Sequence, residues 1–172
     1  HSAILEKNVL NLFDSMKKYH GLGKRERLLL QISAILHDCG KYISMRTPGE
    51  CAYNIILSTE IIGISHKERE IIANVVKYNT LEFDYTADSV TLDKQMRITI
   101  AKLTAILKIG NAIDRSHKQK FKNVRASLRG KQLVITIESI DDIVLEKGLF
   151  AAKSGDFERI FSVKPVIKEK HT

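Results

Sequence analysis

Residues 96–114, MRITIAKLTAILKIGNAID, decide the fold of this chain. Their apolar members fall on every side of the helix that the segment predicts, instead of on one stripe. They are Met96, Ile98, Ile100, Leu103, Ile106, Leu107, Ile109 and Ile113. Because a helix that is apolar all round is buried, we expect a central helix that ends near Asp114, with Thr91 or Asp93 as its N-cap. Gly110 within it predicts close packing against a neighbouring helix.

Apolar residues recur at helical spacing upstream of this segment as well. They predict four further helices, at residues 3–19, 24–38, 50–58 and 66–78. Gly21 closes the first of these helices, and Pro48 is suited to begin the third. Ser65 and Glu68 have the spacing of a capping box, which opens the fourth.

The pattern changes after Ser116, where short segments alternate between apolar and polar residues. The predicted elements are strand 124–128, strand 133–137, helix 145–161 and strand 163–167. Arg129-Gly130 joins the first two strands as a hairpin turn. The predicted fold is therefore mainly α, with a helical bundle over residues 1–117 followed by a small β-β-α-β unit over residues 118–172.

The composition is that of an ordinary soluble globular protein. Of 172 residues, 44% are hydrophobic and 28% are charged, which suits one domain or one domain with a small appendage. No run approaches the roughly 18 apolar residues that a membrane span needs, and the amphipathic start does not resemble a signal peptide. Two cysteines, Cys39 and Cys51, are too few for a disulfide framework. We therefore expect a reducing, cytoplasmic setting without membrane association.

The net charge of +8 favours an anionic partner. Aromatic residues make up only 6% of the chain and tryptophan is absent, which argues against nucleic acid bound by base stacking. The cations concentrate between residues 114 and 131, where Asp114 is the only acid. The candidate polyanion-binding residues in this stretch are Arg115, Lys118, Lys120, Lys122 and Arg125. A solvated linker between the helical bundle and the β unit is the alternative interpretation.

His37 and Asp38 form a candidate metal-binding pair at the end of an apolar helix. An imidazole and a carboxylate side by side suit a borderline or hard divalent cation. His1 and Asp114 are candidates to complete a single-metal site, and the residue types do not distinguish Mn, Mg, Zn or Fe. In the alternative interpretation no metal binds: His37 hydrogen-bonds Asp114, and Asp38 caps a nearby backbone amide.

Five segments together resemble one known family. They are LHDCG at 36–40, CAYNII at 51–56, GISHKE at 63–68, IANVVKY at 72–78 and LKIGNAIDRSH at 107–117. The chain resembles the carboxy-terminal half of the exopolyphosphatase and guanosine pentaphosphate phosphohydrolase (Ppx/GppA) enzymes over nearly its whole length. In that family an HD-type helical domain follows two actin-like domains, which carry the phosphoryl chemistry.

The resemblance implies a cytoplasmic phosphatase domain that binds polyphosphate or a guanosine polyphosphate and supports assembly of the parent protein as a homodimer. His1 matches the first histidine of the family pattern. Glu50 and Asn79 stand where that pattern often has histidine, so one metal ion is expected instead of two. The alternative function is a stand-alone, metal-dependent HD phosphohydrolase that acts on a nucleotide or pyrophosphate bond. No catalytic residue is assigned.

Overall fold

Helices make up most of the chain, and a small sheet lies near its C-terminal end. The computed structural model describes residues 2–40, 46–79, 92–115, 121–139 and 144–171. In chain order the elements are α1 (Ser2–Ser15), α2 (Lys17–His20), α3 (Lys24–Leu36), α4 (Pro48–Ser58), α5 (His66–Tyr78), α6 (Lys94–Arg115), β1 (Phe121–Arg129), β2 (Gln132–Ser139), α7 (Val144–Lys153), α8 (Gly155–Phe161) and β3 (Lys164–His171). The predicted fold class, mainly α with a small β unit, is confirmed. No helix within these ranges is long and apolar enough to cross a bilayer.

The chain divides into two compact units. One unit combines His1–Gly21 with Lys108–Thr172, and the other is Leu22–Leu107. Helix α6 contributes to both, because the division falls within it. The predicted domain boundary at residue 117 describes a different division of the chain and stays a prediction.

Helix α5 packs against both α3 and α4 in the unit Leu22–Leu107. In the same unit every residue of α6 from Leu103 to Leu107 is buried. These residues cover more than one helical turn, so α6 is buried around its circumference there, as predicted. The prediction is wrong at Ile98, which lies nearer the start of α6 and is 38% exposed. Asp93 is its N-cap, since Asp93 Oδ1 accepts a hydrogen bond from the Met96 N–H at 2.8 Å.

A charged clamp joins the beginning of α3 to the beginning of α5. Ser65 Oγ accepts the Glu68 N–H at 3.2 Å, and Glu68 Oε1 accepts the Ser65 N–H at 3.0 Å, which confirms the predicted capping box. Arg25 Nη2 donates to Glu68 Oε1 at 2.8 Å and also to the Gly63 carbonyl. The Arg25 hydrogen bond holds the pKa of the Glu68 carboxyl well below its usual value of 4.5, at about 2.

Gly110 brings α6 against α1 in the other unit. A Cβ built on Gly110 would overlap Val9 Cγ1 and lie 3.5 Å from Leu5 Cδ1. Both of those side chains are fully buried, and a valine methyl has little room to move away in a packed core. The predicted role of Gly110 in close helix packing is confirmed.

The predicted single helix over residues 3–19 is interrupted. Helix α1 ends at Ser15, and Met16 leaves the helical conformation with φ −96° and ψ 8° before α2 begins. The buried His20 ring lies 4.1 Å from the Phe13 ring, and its Nε2 is 2.8 Å from the Phe13 carbonyl oxygen. The Phe13 carbonyl, which an unbroken helix would bond to the N–H four residues on, also accepts the Met16 N–H at 3.2 Å. A side chain only seven residues away thus accompanies the break in the helix.

The sheet has the strand order β1-β2-β3, with β2 in the centre. Strands β1 and β2 form the predicted hairpin, and β2 pairs in parallel with β3. Leu133, Ile135 and Ile137 of β2 are fully buried on one face. The outer edge of β1 is covered at Ala126, whose N–H donates to Asn11 Oδ1 and whose carbonyl accepts from Ser15 Oγ.

Helix α3 ends two residues before the predicted residue 38, and β1 and β2 extend beyond the predicted 124–128 and 133–137. Two other differences are larger. Residues 145–161 form α7 and α8 instead of one helix, because Ser154 Oγ bonds the Ala151 carbonyl at 2.9 Å and Gly155 follows; both residues weaken a helix interior. Strand β3 extends to His171, beyond the predicted end at Ile167. Residues 168–171 are charged or polar and show no alternation of apolar and polar residues, so the sequence pattern did not predict them as strand. Pairing with β2 keeps them extended.

The Arg25–Glu68 clamp predicts a specific pH dependence of stability. Since the pKa of Glu68 is lowered on folding, its contribution is complete above about pH 4.5 and is lost as pH falls towards about 2. We expect Glu68→Gln, which keeps the capping hydrogen bonds, to flatten the loss of stability between about pH 5 and about pH 3 in urea unfolding. Glu60→Gln, at an exposed site in the same unit, is the control. Equal acid sensitivity in wild type and Glu68→Gln would contradict this role.

Candidate functional site

His37 and Asp38 form a close pair directly after α3. The His37 ring is only 5% exposed, whereas Asp38 is 43% exposed, and His37 Nε2 lies 3.0 Å from Asp38 Oδ2. His37 Nδ1 lies 2.7 Å from the Ala34 carbonyl oxygen, one turn earlier. The helix end therefore holds the ring from one side and presents its other nitrogen to the carboxylate.

These distances define the hydrogen bonding of the His37 ring. The Ala34 carbonyl can only accept, so Nδ1 carries a hydrogen. A neutral ring then has its lone pair on Nε2, which would face a carboxylate oxygen that is also an acceptor. Two acceptors 3.0 Å apart are stabilised by a cation, either a proton on Nε2 or a metal ion. An Nδ1–H bonded to a backbone carbonyl is also the arrangement that orients metal-binding histidines.

Gly40 presses the His37-Asp38 turn against the beginning of α4. A Cβ at Gly40 would overlap the Pro48 carbonyl oxygen and lie 2.7 Å from the Ala52 nitrogen. Both obstacles are backbone atoms, so only glycine allows this approach. The same contact brings the half-buried Cys39 near Cys51; burial, and then the neighbouring Cys51, raise the pKa of the Cys39 thiol. Because the thiolate is the form that binds metal, this shift makes Cys39 a weaker candidate ligand than His37 or Asp38.

The structure brings together two of the four predicted metal ligands. His37 and Asp38 are adjacent, whereas His1 and the Asp114 side chain lie outside the described residues. Among the side chains that the structure does describe, no group of three or more His, Cys, Asp or Glu is placed to hold a metal ion. The four-residue metal site therefore stays a prediction.

The two positions that depart from the family pattern have different environments. Glu50 is exposed in the first turn of α4. Asn79 is buried, and its Oδ1 has no hydrogen-bond partner among the described residues. An exposed carboxylate remains able to bind a cation, whereas an amide oxygen is a weaker ligand.

The solvent-facing side of the sheet is the second candidate site, which we call the open face. Successive side chains of a strand point to opposite faces, so the residues that alternate with the buried Leu133, Ile135 and Ile137 lie on this side. The register aligns Arg125 of β1 with Thr136 of β2, and Thr136 with Lys168 of β3. Among the described side chains, the open face consists of Arg125, Ser127, Arg129, Gln132, Val134, Thr136, Glu138, Lys164, Val166, Lys168 and Lys170.

Charge is arranged in rows on the open face. The outer strands supply exposed cations, which are Arg125 and Arg129 of β1 and Lys164, Lys168 and Lys170 of β3. The central strand is neutral apart from Glu138. Between the rows lies a cavity of about 410 Å³, lined by Arg125, Ala126, Ser127, Thr136, Glu138 and Lys170. Cations on both sides of a neutral floor are suited to an anionic ligand.

Only part of the predicted basic stretch can be placed. Arg125 is exposed on the open face. Arg115 belongs to α6 and Lys122 to β1, but their side chains are not among those described, and Lys118 and Lys120 lie outside the described residues. The prediction that these four contact a polyanion stays a prediction.

The sequence interpretation missed the three lysines of β3. Lys164, Lys168 and Lys170 are far from Arg125 along the chain and reach the same face only through the parallel pairing of β2 with β3. Their even spacing was a usable signal, because residues separated by even numbers share one face of a strand. The prediction ended the strand at Ile167, so it did not include Lys168 and Lys170.

Comparison with known proteins identifies one family. The model of the Ppx/GppA phosphatase, domain III, matches residues 1–153. A search among curated proteins finds no match. A family match over this much of the chain, which includes the His37-Asp38 turn and the hairpin, is sufficient to assign the family.

The His37–Asp38 pair gives a direct test of the predicted metal binding. After equilibration with Mn²⁺ or Zn²⁺, we expect the wild-type chain to retain metal, and His37→Gln or Asp38→Asn to bind it about tenfold more weakly or worse. Equilibrium dialysis with elemental analysis measures this. Asp14→Asn, at an exposed site on α1, is the control. Equal retention by all four proteins would reject His37 and Asp38 as ligands.

Proposed function

This chain belongs to the Ppx/GppA phosphatase family, as its domain III, and on that premise we propose that it binds a phosphate polyanion. The ligand is polyphosphate or a guanosine polyphosphate. Hydrolysis resides in actin-like domains of the parent protein, to which this domain presents the ligand. The proposal includes a role in assembling the parent protein as a homodimer.

The open face is the observation that carries the proposal. Its cations outnumber its described acid, Glu138, and they come from two separate strands. Arginine contacts phosphate oxygens in pairs, whereas lysine contributes a compact point charge. Cations repeated along a path bind a ligand with repeated phosphates better than a single pocket does.

The sheet geometry supports a ligand that lies along β2. Neighbouring strands are about 4.8 Å apart, so the rows on β1 and β3 are separated by about 10 Å with β2 between them. At about 3.3 Å per residue, the row from Lys164 to Lys170 extends for about 20 Å. A chain of phosphates lying on β2 would have cations along both sides.

Like charges in neighbouring positions also favour an anionic partner. Lys168 and Lys170 lie on the same face of β3, and Arg125 lies two strands away in the same register row as Lys168. Like charges on one face repel each other even when they are not directly opposite, and a bound anion would relieve that repulsion. Binding should therefore also raise the temperature of unfolding.

Substitution of the open-face cations tests the proposal. Arg125→Gln, Lys168→Gln and Lys170→Gln combined should weaken polyphosphate binding at least about tenfold and make its salt dependence shallower by about 2 in log–log slope. Fluorescence anisotropy with labelled polyphosphate at several salt concentrations measures both. Combined Lys7→Gln, Lys17→Gln and Lys24→Gln removes the same charge from exposed sites elsewhere. If both triple variants bind equally, the open face is not the contact surface.

A further triple variant addresses the stretch predicted from the sequence. Lys118→Gln, Lys120→Gln and Lys122→Gln should weaken binding if that stretch continues the path of cations. Unchanged affinity would reject Lys118, Lys120 and Lys122 as part of the contact surface.

The alternative function is a stand-alone, metal-dependent phosphohydrolase, and the orientation of His37 towards Asp38 favours it. A metal held there would polarise a phosphoryl oxygen or activate water. We expect no phosphate release by the isolated chain from polyphosphate or guanosine polyphosphates with Mn²⁺, Mg²⁺, Zn²⁺ or Fe²⁺ in a colorimetric assay. Turnover that disappears in Asp38→Asn would establish the alternative.

A further inference from the structure

Glu138 is an acid placed among the cations of the open face. It lies in register with Lys122 on one side and with Lys170 on the other, and it lines the 410 Å³ cavity together with Arg125. The other charged residues described on this face are positive. Glu138 is half-buried, so solvent and salt screen the charge of its carboxylate less than they would screen that of a fully exposed group.

Glu138 is in register with Lys170, so opposite-charge pairing across the sheet gives it one structural role. Glutamate is depleted in strands, and the side chain is on the opposite face from the buried Leu133, Ile135 and Ile137. On a surface that binds anions, a carboxylate in the cavity repels every anion that enters. Its place in the cavity lining therefore affects which anions bind, in addition to its pairing within the sheet.

We infer that the Glu138 carboxylate weakens the binding of single phosphate ions to the open face by electrostatic repulsion, while polyanions still bind. This inference rests on the proposed function. Orthophosphate bound in the cavity would contact Arg125 and Lys170, and the Glu138 carboxylate opposes both contacts. A polyanion extends beyond the cavity to Arg129, Lys164 and Lys168, and those contacts offset the repulsion.

The selectivity has a use in a phosphatase. Hydrolysis of a phosphate polymer releases orthophosphate. A surface with the same cations but without an acidic residue would bind that product. A carboxylate within the cavity keeps the face available for the polymer. The residue thus determines specificity through charge, and it takes no part in bond cleavage.

Glu138→Gln tests the inference by removing the charge at nearly constant size. We expect orthophosphate to bind the variant about three- to tenfold more tightly than it binds wild type at matched ionic strength. The gain for labelled polyphosphate should be a smaller factor. ³¹P line broadening measures orthophosphate binding directly, and competition against labelled polyphosphate measures the ratio of the two affinities.

Two further variants separate charge from structure. Glu138→Asp keeps the charge and should still exclude orthophosphate. Glu158→Gln removes an exposed acid from α8 and should behave as wild type. If Glu138→Gln gains no affinity for orthophosphate while circular dichroism shows it folded, or if Glu158→Gln gains as much, the inference is wrong. Failure of polyphosphate to bind wild type would instead reject the proposed function, and the orthophosphate measurement would still decide the role of Glu138.

Discussion

Burial of α6 around its circumference is the constraint on which the rest of this structure depends. Both compact units include part of this helix, and each uses a different feature of it. In one unit the residues Leu103–Leu107 are all buried; in the other, Gly110 removes a side chain so that α1 can approach. Because an all-round apolar helix is unstable in water, its neighbours must cover it.

The two candidate sites use different physics. At the His37-Asp38 turn, a backbone carbonyl orients the ring and a glycine without a Cβ lets the turn approach α4. That arrangement is rigid and short-range, as metal coordination or a buried ion pair requires. The open face is instead a set of exposed cations on two strands, and its attraction for anions is additive and sensitive to salt. The first arrangement suits one cation, and the second suits an extended anion.

Strand β3 links the sheet to the proposed function. It forms an edge of the sheet, beyond the residues that the family model matches, and it supplies three of the open-face lysines. Lysines on an edge strand also discourage pairing with other chains, a role separate from the binding proposed for them. Glu138 is the described acid of the central strand on this face, and the proposed selectivity depends on its charge.

The sequence by itself determined the features that depend on neighbouring residues. Three of them follow from local backbone geometry: the Ser65–Glu68 capping box, the start of α4 at Pro48 and the hairpin turn at Gly130. The fourth, close packing of α6 at Gly110, follows from the absence of a side chain. The break at Met16 accompanies a contact between His20 and the Phe13 carbonyl oxygen that the helical pattern did not indicate. Only tertiary pairing with β2 decided the full length of β3. The open face was also a tertiary result, because Arg125 and Lys168 reach the same face only by pairing with Thr136 of β2 from opposite sides. No local pattern encodes which distant strand will pair with β2.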